Sequence, residues 1–357
     1  MYAAIEVACL DAQARLAGIP VVDLLGGRVR GRVPDSGYLF YKWAGHPGAH
    51  TDEWGAALTP EGIVAQATRM LDLHGFRSLK LKGGVLPAEE EIAAVRALHA
   101  EFPGLPLHLD PNTVWNLETA LDAARELPGV LEYLEDPVAG VDGMAAVAAR
   151  TTLPLAANMC VTSFDDVLPA VMRDAVRIVR GDHHIWGGLR ATMALGDLTR
   201  AVGWGLSMHS NPHLGISLAA MTHAAAAIPA LDDACATHYP WNAAEDVVEA
   251  GPLCFTDGSF PVPESPGLGV ELGRGGRSTG CTTCTWVWGA NTGKTGRICG
   301  ACGRSRHPDD RSHAGSQRRP VPPTSVRSRP STPAPPDASA TSAARAGHPP
   351  RRACSGS

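Results

Sequence analysis

A chain of 357 residues can bury one large core or two modest ones. With 44% hydrophobic and 19% charged residues it has an ordinary globular composition, and no stretch approaches the roughly 20 apolar residues of a membrane helix. The net charge of −5 conceals two unlike parts: residues 1–274 hold 18 Lys and Arg against 33 Asp and Glu, residues 275–357 hold 13 against 3, and one evenly composed domain is excluded.

In chain order, MYAAIEVACLDAQARLAGI mixes acidic with apolar residues and reads as an amphipathic helix. It has neither the basic region nor the apolar block of a signal peptide, so a cytoplasmic location is expected. The runs GYLFYK (37–42), SLKLKGG (78–84), PLHLDPN (106–112), LEYLEDP (131–137), PLAANMC (154–160), AVRIVRGD (175–182), GLSMHS (205–210) and ACATHYP (234–240) predict strands. Helical periodicity fills stretches between them, at 60–74, 88–101, 116–127, 163–172, 187–202 and 213–227. This alternation implies a parallel sheet, and eight units in about 210 residues fit a closed TIM-like (β/α)-barrel. An open doubly wound sheet would show a Gly-rich dinucleotide turn after its first strand, and none follows Tyr38 to Lys42. The expected organisation is a leading helix over 1–30, the barrel over 31–274 and a basic tail over 275–357.

In such a barrel chemistry sits at the carboxyl ends of the strands. Those ends carry Lys80 and Lys82, Asp110 and Asn112, Glu135 and Asp136, Asn158, Asp182, His209 and Asn211, and His238. Any one of these has a bland reading as a solvated loop residue or structural ion pair; a polar group on strand after strand does not, because charges are seldom buried unless paired or metal-bound. Asp110, Glu135 and Asn158 offer hard oxygens from three adjacent strands, a donor set for Mg²⁺ rather than for Zn²⁺. Asp142, just past the fourth strand, is the alternative to Glu135, and Cys160 is read as packing.

Lys80 and Lys82 stand i, i+2 on one strand and face one side. The chain has four lysines, at 42, 80, 82 and 294, so this placement is not compositional noise. Two adjacent ammonium groups near a divalent cation favour a neutral lysine, able to act as a base; the alternative is that both bind a carboxylate. Asp182 ends the strand beside His209, where a carboxylate fixes an imidazole's tautomer. This pair is placed across the mouth from the lysines, giving a base on each face of a substrate carbon. His183 and His184 are read as loop-lining residues.

The segments SLKLKGGV, LHLDPN, YLEDP, ANMCVT, GDHHIWGGLR, LSMHSNPHLGISLAAMTHAAAA and PESPGLGVEL resemble the glucarate dehydratase group of the enolase superfamily, from residue 1 to about residue 272. The resemblance implies Mg²⁺-dependent removal of a proton α to a carboxylate, followed by loss of the β-hydroxyl to give a 2-keto-3-deoxy acid. It implies Lys82 as base on one face, Lys80 polarising it and touching the substrate carboxylate, and His209 with Asp182 as acid/base on the other. Asp110, Glu135 and Asn158 would hold Mg²⁺, while Tyr38, Asn112, Asn211 and His238 would contact a small acid sugar. An acid-sugar epimerase could use the same two bases. The resemblance also implies a capping domain ahead of the barrel, of which residues 1–30 match the last helix, and a closing C-terminal segment that this sequence replaces after Leu272. A barrel without that cap leaves an inactive, truncated product as a third reading. Oligomeric state stays open, a homo-oligomer included.

From Gly303 to Ser357 there is no Leu, Ile, Phe, Met, Trp or Tyr, so the tail is expected to be disordered. Its Arg/Pro/Ser-rich composition is what out-of-frame translation of GC-rich DNA gives. Cys281-x-x-Cys284 and Cys299-x-x-Cys302, 14 residues apart, have nearly a zinc-ribbon spacing but lie among Gly, Thr, Arg and Pro without alternating strands. Cys354 is the fifth cysteine of the tail, and the other four of the nine are scattered, as reduced thiols are. The tail's charge could attract nucleic acid weakly, with no aromatic interleaving for specificity, so no specific nucleic-acid partner is expected.

Overall fold

The structure is a computed structural model that describes residues 2–45, 51–210, 212–249 and 253–273. The expected tail, its cysteine pairs and Asn211 lie outside the described residues. Helices α1 (Tyr2–Ala17) and α2 (Val21–Leu24) precede strand β1 (Arg32–Phe40). There follow α3 (Pro60–His74), β2 (Leu79–Lys82), α4 (Ala88–Glu101), β3 (Leu107–Asp110), α5 (Leu117–Glu126), β4 (Tyr133–Glu135), α6 (Gly140–Ala148) and β5 (Leu155–Ala157). Next come α7 (Phe164–Met172), β6 (Ile178–Gly181), α8 (His183–Trp186), α9 (Leu189–Val202), β7 (Gly205–Met208), α10 (Gly215–Ala227), β8 (Cys235–Ala236), α11 (Tyr239–Asn242) and β9 (Ser259–Pro261).

Strand order is β7-β6-β5-β4-β3-β2-β1-β8, and each of these pairings is parallel. The ring closes through a single parallel bridge from His209 to Ala236, with the Ser210 amide donating to the Ala236 carbonyl at 3.1 Å. The expected (β/α)-barrel is therefore present, with each predicted strand in place. β2 to β8 are buried at nearly every position, as a sheet covered by helices outside and filled by side chains inside requires. Leu81, Leu109 and Leu134 are no more than 1% exposed, each contributing roughly 1.5–3 kcal/mol by leaving water.

Helix boundaries follow local chemistry. Thr59 caps α3 by accepting from the Gly62 amide, with Pro60 at the first helical position and Gly75 ending the helix at φ 67°. A Cβ on Gly75 would also meet the Asp257 Cα at 3.1 Å. Asn116 caps α5, and Ser163 with Asp166 forms a capping box on α7.

Two features depart from the sequence reading. β1 begins at Arg32 rather than 37, because Pro34-Asp35-Ser36-Gly37, turn-like in composition, is pinned between β8 and the antiparallel strand β9. β8 is only two residues long, since Pro240 opens α11 immediately beyond it.

Helix α1 packs on the barrel's outside. Val7, Leu10 and Ala14 form one apolar cluster with Val21, Leu189, Ala219, Ala220, Ala224 and Leu268. This explains why α10, between α1 and the strands, is buried on almost every side. The Glu6 carboxylate accepts the Leu189 and Arg190 amides at the α9 N-terminus, where the helix dipole favours an anion.

Candidate active site at the carboxyl ends of the strands

The parallel register sets Phe40, Lys82 and Asp110 side by side at the ends of β1, β2 and β3. Lys80 is fully buried, its Nζ 2.6 Å from Glu135 Oε1 and 3.0 Å from Asp110 Oδ2. Lys82 is more open, 21% exposed, and its Nζ donates at 2.8 Å to both Asp110 Oδ2 and Asn112 Oδ1. Tyr38 donates to the same Asp110 oxygen at 3.4 Å, and its ring lies 4.9 Å from the Lys80 ammonium, a cation–π contact.

Burial sets the electrostatics. Desolvation lowers the Lys80 pKa against the pull of Asp110 and Glu135. It works to raise Asp110, but Lys80 and Lys82 overcome it and hold that carboxyl well below its usual range. Desolvation raises Glu135, and with the charges of Glu135 and Asp110 it pushes Asp136 up to about 8.

Glu135 Oε2 is buried with no hydrogen-bond partner among the described residues. The Asn158 Nδ2 donates to the Arg180 carbonyl at 3.0 Å, which leaves its Oδ1 as the atom for a cation. Asp110, Glu135 and Asn158 thus fit a hard divalent ion: oxygen donors on three adjacent strand ends, one of them without a hydrogen bond and facing only the Arg180 Nε at 3.5 Å. Asp142 does not join them. It lies in the first turn of α6, its carboxylate 87% exposed and bonded to Arg173, which favours Glu135 over the alternative.

Backbone strain is concentrated here. Asn112, Thr113 and Asp136 have φ of 57°, 65° and 41°, and the Thr113 amide donates to the Asp136 carbonyl at 2.7 Å. Asp136, given no role from sequence, accepts the Asn158 and Met159 amides at 2.6 and 2.9 Å and so ties β4 to β5.

Opposite the lysines, His209 is 3% exposed and closes the barrel. Burial first, then the charges of Lys80, Lys82 and Arg180, push its pKa well below the usual histidine value, so the imidazole is neutral. His238 stands edge-on to Tyr38 and Phe40, with ring centroids 4.8 and 4.9 Å away, and is pushed down to about 3 by burial and the lysines.

The pairing expected between Asp182 and His209 is not the contact that the Asp182 Oδ1 makes. That oxygen accepts the His184 amide at 2.8 Å and faces the His184 Nδ1 at 2.7 Å. The His209 Nδ1 is buried without a hydrogen-bond partner among the described residues. The reason is local: Asp182 is the N-cap of α8, whose first turn carries His184 back onto it. His183 and His184 therefore sit on a short helix, and with Asp182 they offer ligand atoms within 4.8 Å of one another.

Sequence reading passed over Arg180. This fully buried guanidinium lies under the site, its Nε 3.5 Å from Glu135 Oε2 and its Cζ 5.4 Å from the Tyr133 ring centre. The signal was an arginine inside the apolar run AVRIVRGD, where a charge needs a buried partner. Gln66 was also missed; its amide accepts from the Phe40 NH at 2.8 Å and donates to the Phe40 carbonyl at 3.1 Å, fixing the end of β1.

In this parallel barrel the buried Lys80 and the more open Lys82 face carboxylates at the carboxyl ends of the strands, where (β/α)-barrels place their functional groups. The family model for enolase C-terminal domain-like chains matches residues 62–275. A probable glucarate dehydratase from Streptomyces coelicolor is 56% identical over 272 residues, which are 75% of this chain and 63% of that protein. An enolase from Thermobispora bispora, solved with magnesium and formate, is 58% identical with a TM-score of 0.75, over 76% of this chain and 65% of the other. One from Mycobacterium smegmatis, solved with tartrate, is 59% identical with a TM-score of 0.74, over 76% and 65%. The chain belongs to the enolase superfamily, and it spans about two thirds of the length of these relatives. Among the described residues no helix is long and apolar enough to cross a membrane.

Proposed function

We propose that this chain carries the catalytic barrel of a Mg²⁺-dependent acid-sugar dehydratase acting on glucarate or a close diacid. The observation that carries the reading is the placement of Lys80 and Lys82 on one side of the mouth and the buried His209 on the other, around three oxygen donors. The glucarate dehydratase relative supports the reaction class, and the relatives solved with magnesium and with tartrate support the metal and a hydroxy diacid.

Asp110, Glu135 and Asn158 would hold Mg²⁺. That ion would stabilise, as a Lewis acid, the negative charge that develops on the substrate carboxylate. Lys82, reachable from solvent and held by Asp110 and Asn112, takes the α proton. Lys80, dry and already aimed at two carboxylates, keeps its charge where negative charge grows. Tyr38, Asn112, Asn211 and His238 contact the sugar chain.

His209 works on the other face. The lysine charges help keep it neutral, and a dianionic substrate offsets those charges, so its proton affinity rises on binding. Protonated as the substrate binds, it delivers that proton to the departing β-hydroxyl and is left neutral again. Water leaves, and the enol tautomerises to a 2-keto-3-deoxy acid. The partner is a small acid sugar rather than nucleic acid, and the setting is the cytoplasm.

The test is the purified chain with Mg²⁺ and a panel of aldarates and aldonates, scored for 2-keto acid. Activity that EDTA abolishes and Mg²⁺ restores is expected. An epimerised acid without 2-keto acid would make the chain an epimerase instead, and no turnover of any acid would overturn the reading.

A further inference from the structure

Three imidazole nitrogens surround one hydroxyl near the end of β6. Ser217 Oγ, on α10, lies 2.8 Å from His184 Nε2, 3.4 Å from His183 Nε2 and 3.1 Å from His213 Nδ1. A hydroxyl has one proton to give, so at least two of these rings donate to it. With His213 donating from Nε2 to the Ser210 and Thr237 hydroxyls, its Nδ1 takes the Ser217 proton, and His183 and His184 both carry hydrogen at Nε2. Both of their Nδ1 atoms then present lone pairs. The His183 Nδ1 is buried without a hydrogen-bond partner among the described residues. The His184 Nδ1 is 2.7 Å from Asp182 Oδ1, a distance at which a proton or a cation must lie between them. The two rings stack with centroids 3.9 Å apart, and Asp182, His183 and His184 offer ligand atoms within 4.8 Å of one another.

We propose that Asp182, His183 and His184 form a metal site for a borderline divalent cation such as Zn²⁺, held by the Asp182 carboxylate and the two Nδ1 atoms. It is distinct from the three oxygen donors on β3 to β5, and it requires none of the dehydratase chemistry above. Two imidazoles and a carboxylate select Zn²⁺ or Co²⁺ over Mg²⁺, which prefers an all-oxygen set. Ser217 is the outer partner: by accepting from both Nε2 atoms it leaves each Nδ1 to the ion, as hydrogen bonds to the far nitrogen do at metal-bound histidines. Asp182 and His183 are buried while His184 is 39% exposed, so the ion enters past one ring and keeps water on that side. It replaces the proton between Asp182 and His184, which passes to solvent.

Calorimetric titration of the metal-stripped full chain with Zn²⁺ tests this, with Mg²⁺ in excess to occupy the oxygen donors. Every arm carries Cys281→Ser, Cys284→Ser, Cys299→Ser and Cys302→Ser, because thiolates would take Zn²⁺ as well. One equivalent of Zn²⁺ is expected to bind. His184→Ala should weaken it about 10- to 100-fold, and Ser217→Ala, which removes only the outer hydrogen bonds, about tenfold. Co²⁺ bound in the same place should show d–d absorption without a thiolate charge-transfer band. Since neither binding nor absorption depends on turnover, failure of the dehydratase reading leaves both readouts intact. No uptake of Zn²⁺, equal affinity in either variant, or a thiolate band overturns the site.

Discussion

On the β2–β4 side of the mouth, two ammonium groups meet two carboxylates at 2.6–3.0 Å, and Arg180 lies beneath. On the β6–β7 side, His209 is neutral, its Nδ1 lacks a partner among the described residues, and the nearby carboxylate is engaged by an exposed ring. The first side is arranged before any substrate arrives, as stabilisation of a developing anion demands, because dipoles and charges fixed in advance cost nothing to reorganise. The second is left unfinished, and that is what a group needs if it must change protonation state within each cycle. The contrast is between a cluster of ion pairs set in advance, whose more open member Lys82 supplies one base, and a histidine whose Nδ1 has no partner among the described residues.

The sharpest way to break this contrast is to remove one base from each side. Lys82→Ala and His209→Ala should each lower 2-keto acid formation by a factor on the order of 10²–10⁴. They should also lose solvent exchange of the α proton for acids of opposite configuration at that carbon. Unchanged turnover, or the same stereochemical loss in both, would mean that the two sides do not act on two faces.

A further effect is expected from Lys80→Met, which strips the nearer of two buried cations from Glu135, leaving Arg180 at 3.5 Å, and one of two ammonium partners from Asp110. Leaving a buried charge unpaired costs about 3–5 kcal/mol, read as a fall in the urea midpoint. A change within error would show that the template is not held by its ion pairs.

The last concerns the barrel floor, where the effect appears only as a slope against pH. Asp35 is fully buried with neither carboxylate oxygen hydrogen-bonded among the described residues, and burial pushes its pKa up to about 8, against the attraction of Arg180. Its folded value lies above the ordinary 3.8, so the folded chain binds more protons than the unfolded one. Its contribution is full below about pH 4 and is lost as pH rises toward 8. Each unit in that window costs roughly 1.4 kcal/mol. Asp35→Asn should flatten this part of the stability–pH curve between pH 5 and 8, measured by urea unfolding. An equal slope in both proteins would mean that Asp35 is ionised in the folded state.

Asp35 also marks where reading a sequence stops. Pro34-Asp35-Ser36-Gly37 has the composition of a turn, and only pairing with β8 and β9 makes it strand. Arg180 stood in plain view within an apolar run, but that it lies under Glu135 depends on which strands are neighbours. Asp142 was the alternative to Glu135, and only the path of α6 shows its carboxylate turned outward to Arg173. Asp182 was expected beside His209, which strand order supports; its capping of α8, and hence its bond to His184, is decided by the turn of a four-residue helix.

By itself the sequence determined the repeating strand–helix pattern, the parallel sheet and the residues at each strand's end, because these depend on local periodicity and on the alternation of side chains along a strand. Register, burial and partner choice were decided by the tertiary structure alone. These depend on distances of a few ångströms between residues far apart in the chain. Such distances separate Lys80, sealed between two carboxylates, from Lys82, identical in type and two residues away, which reaches solvent.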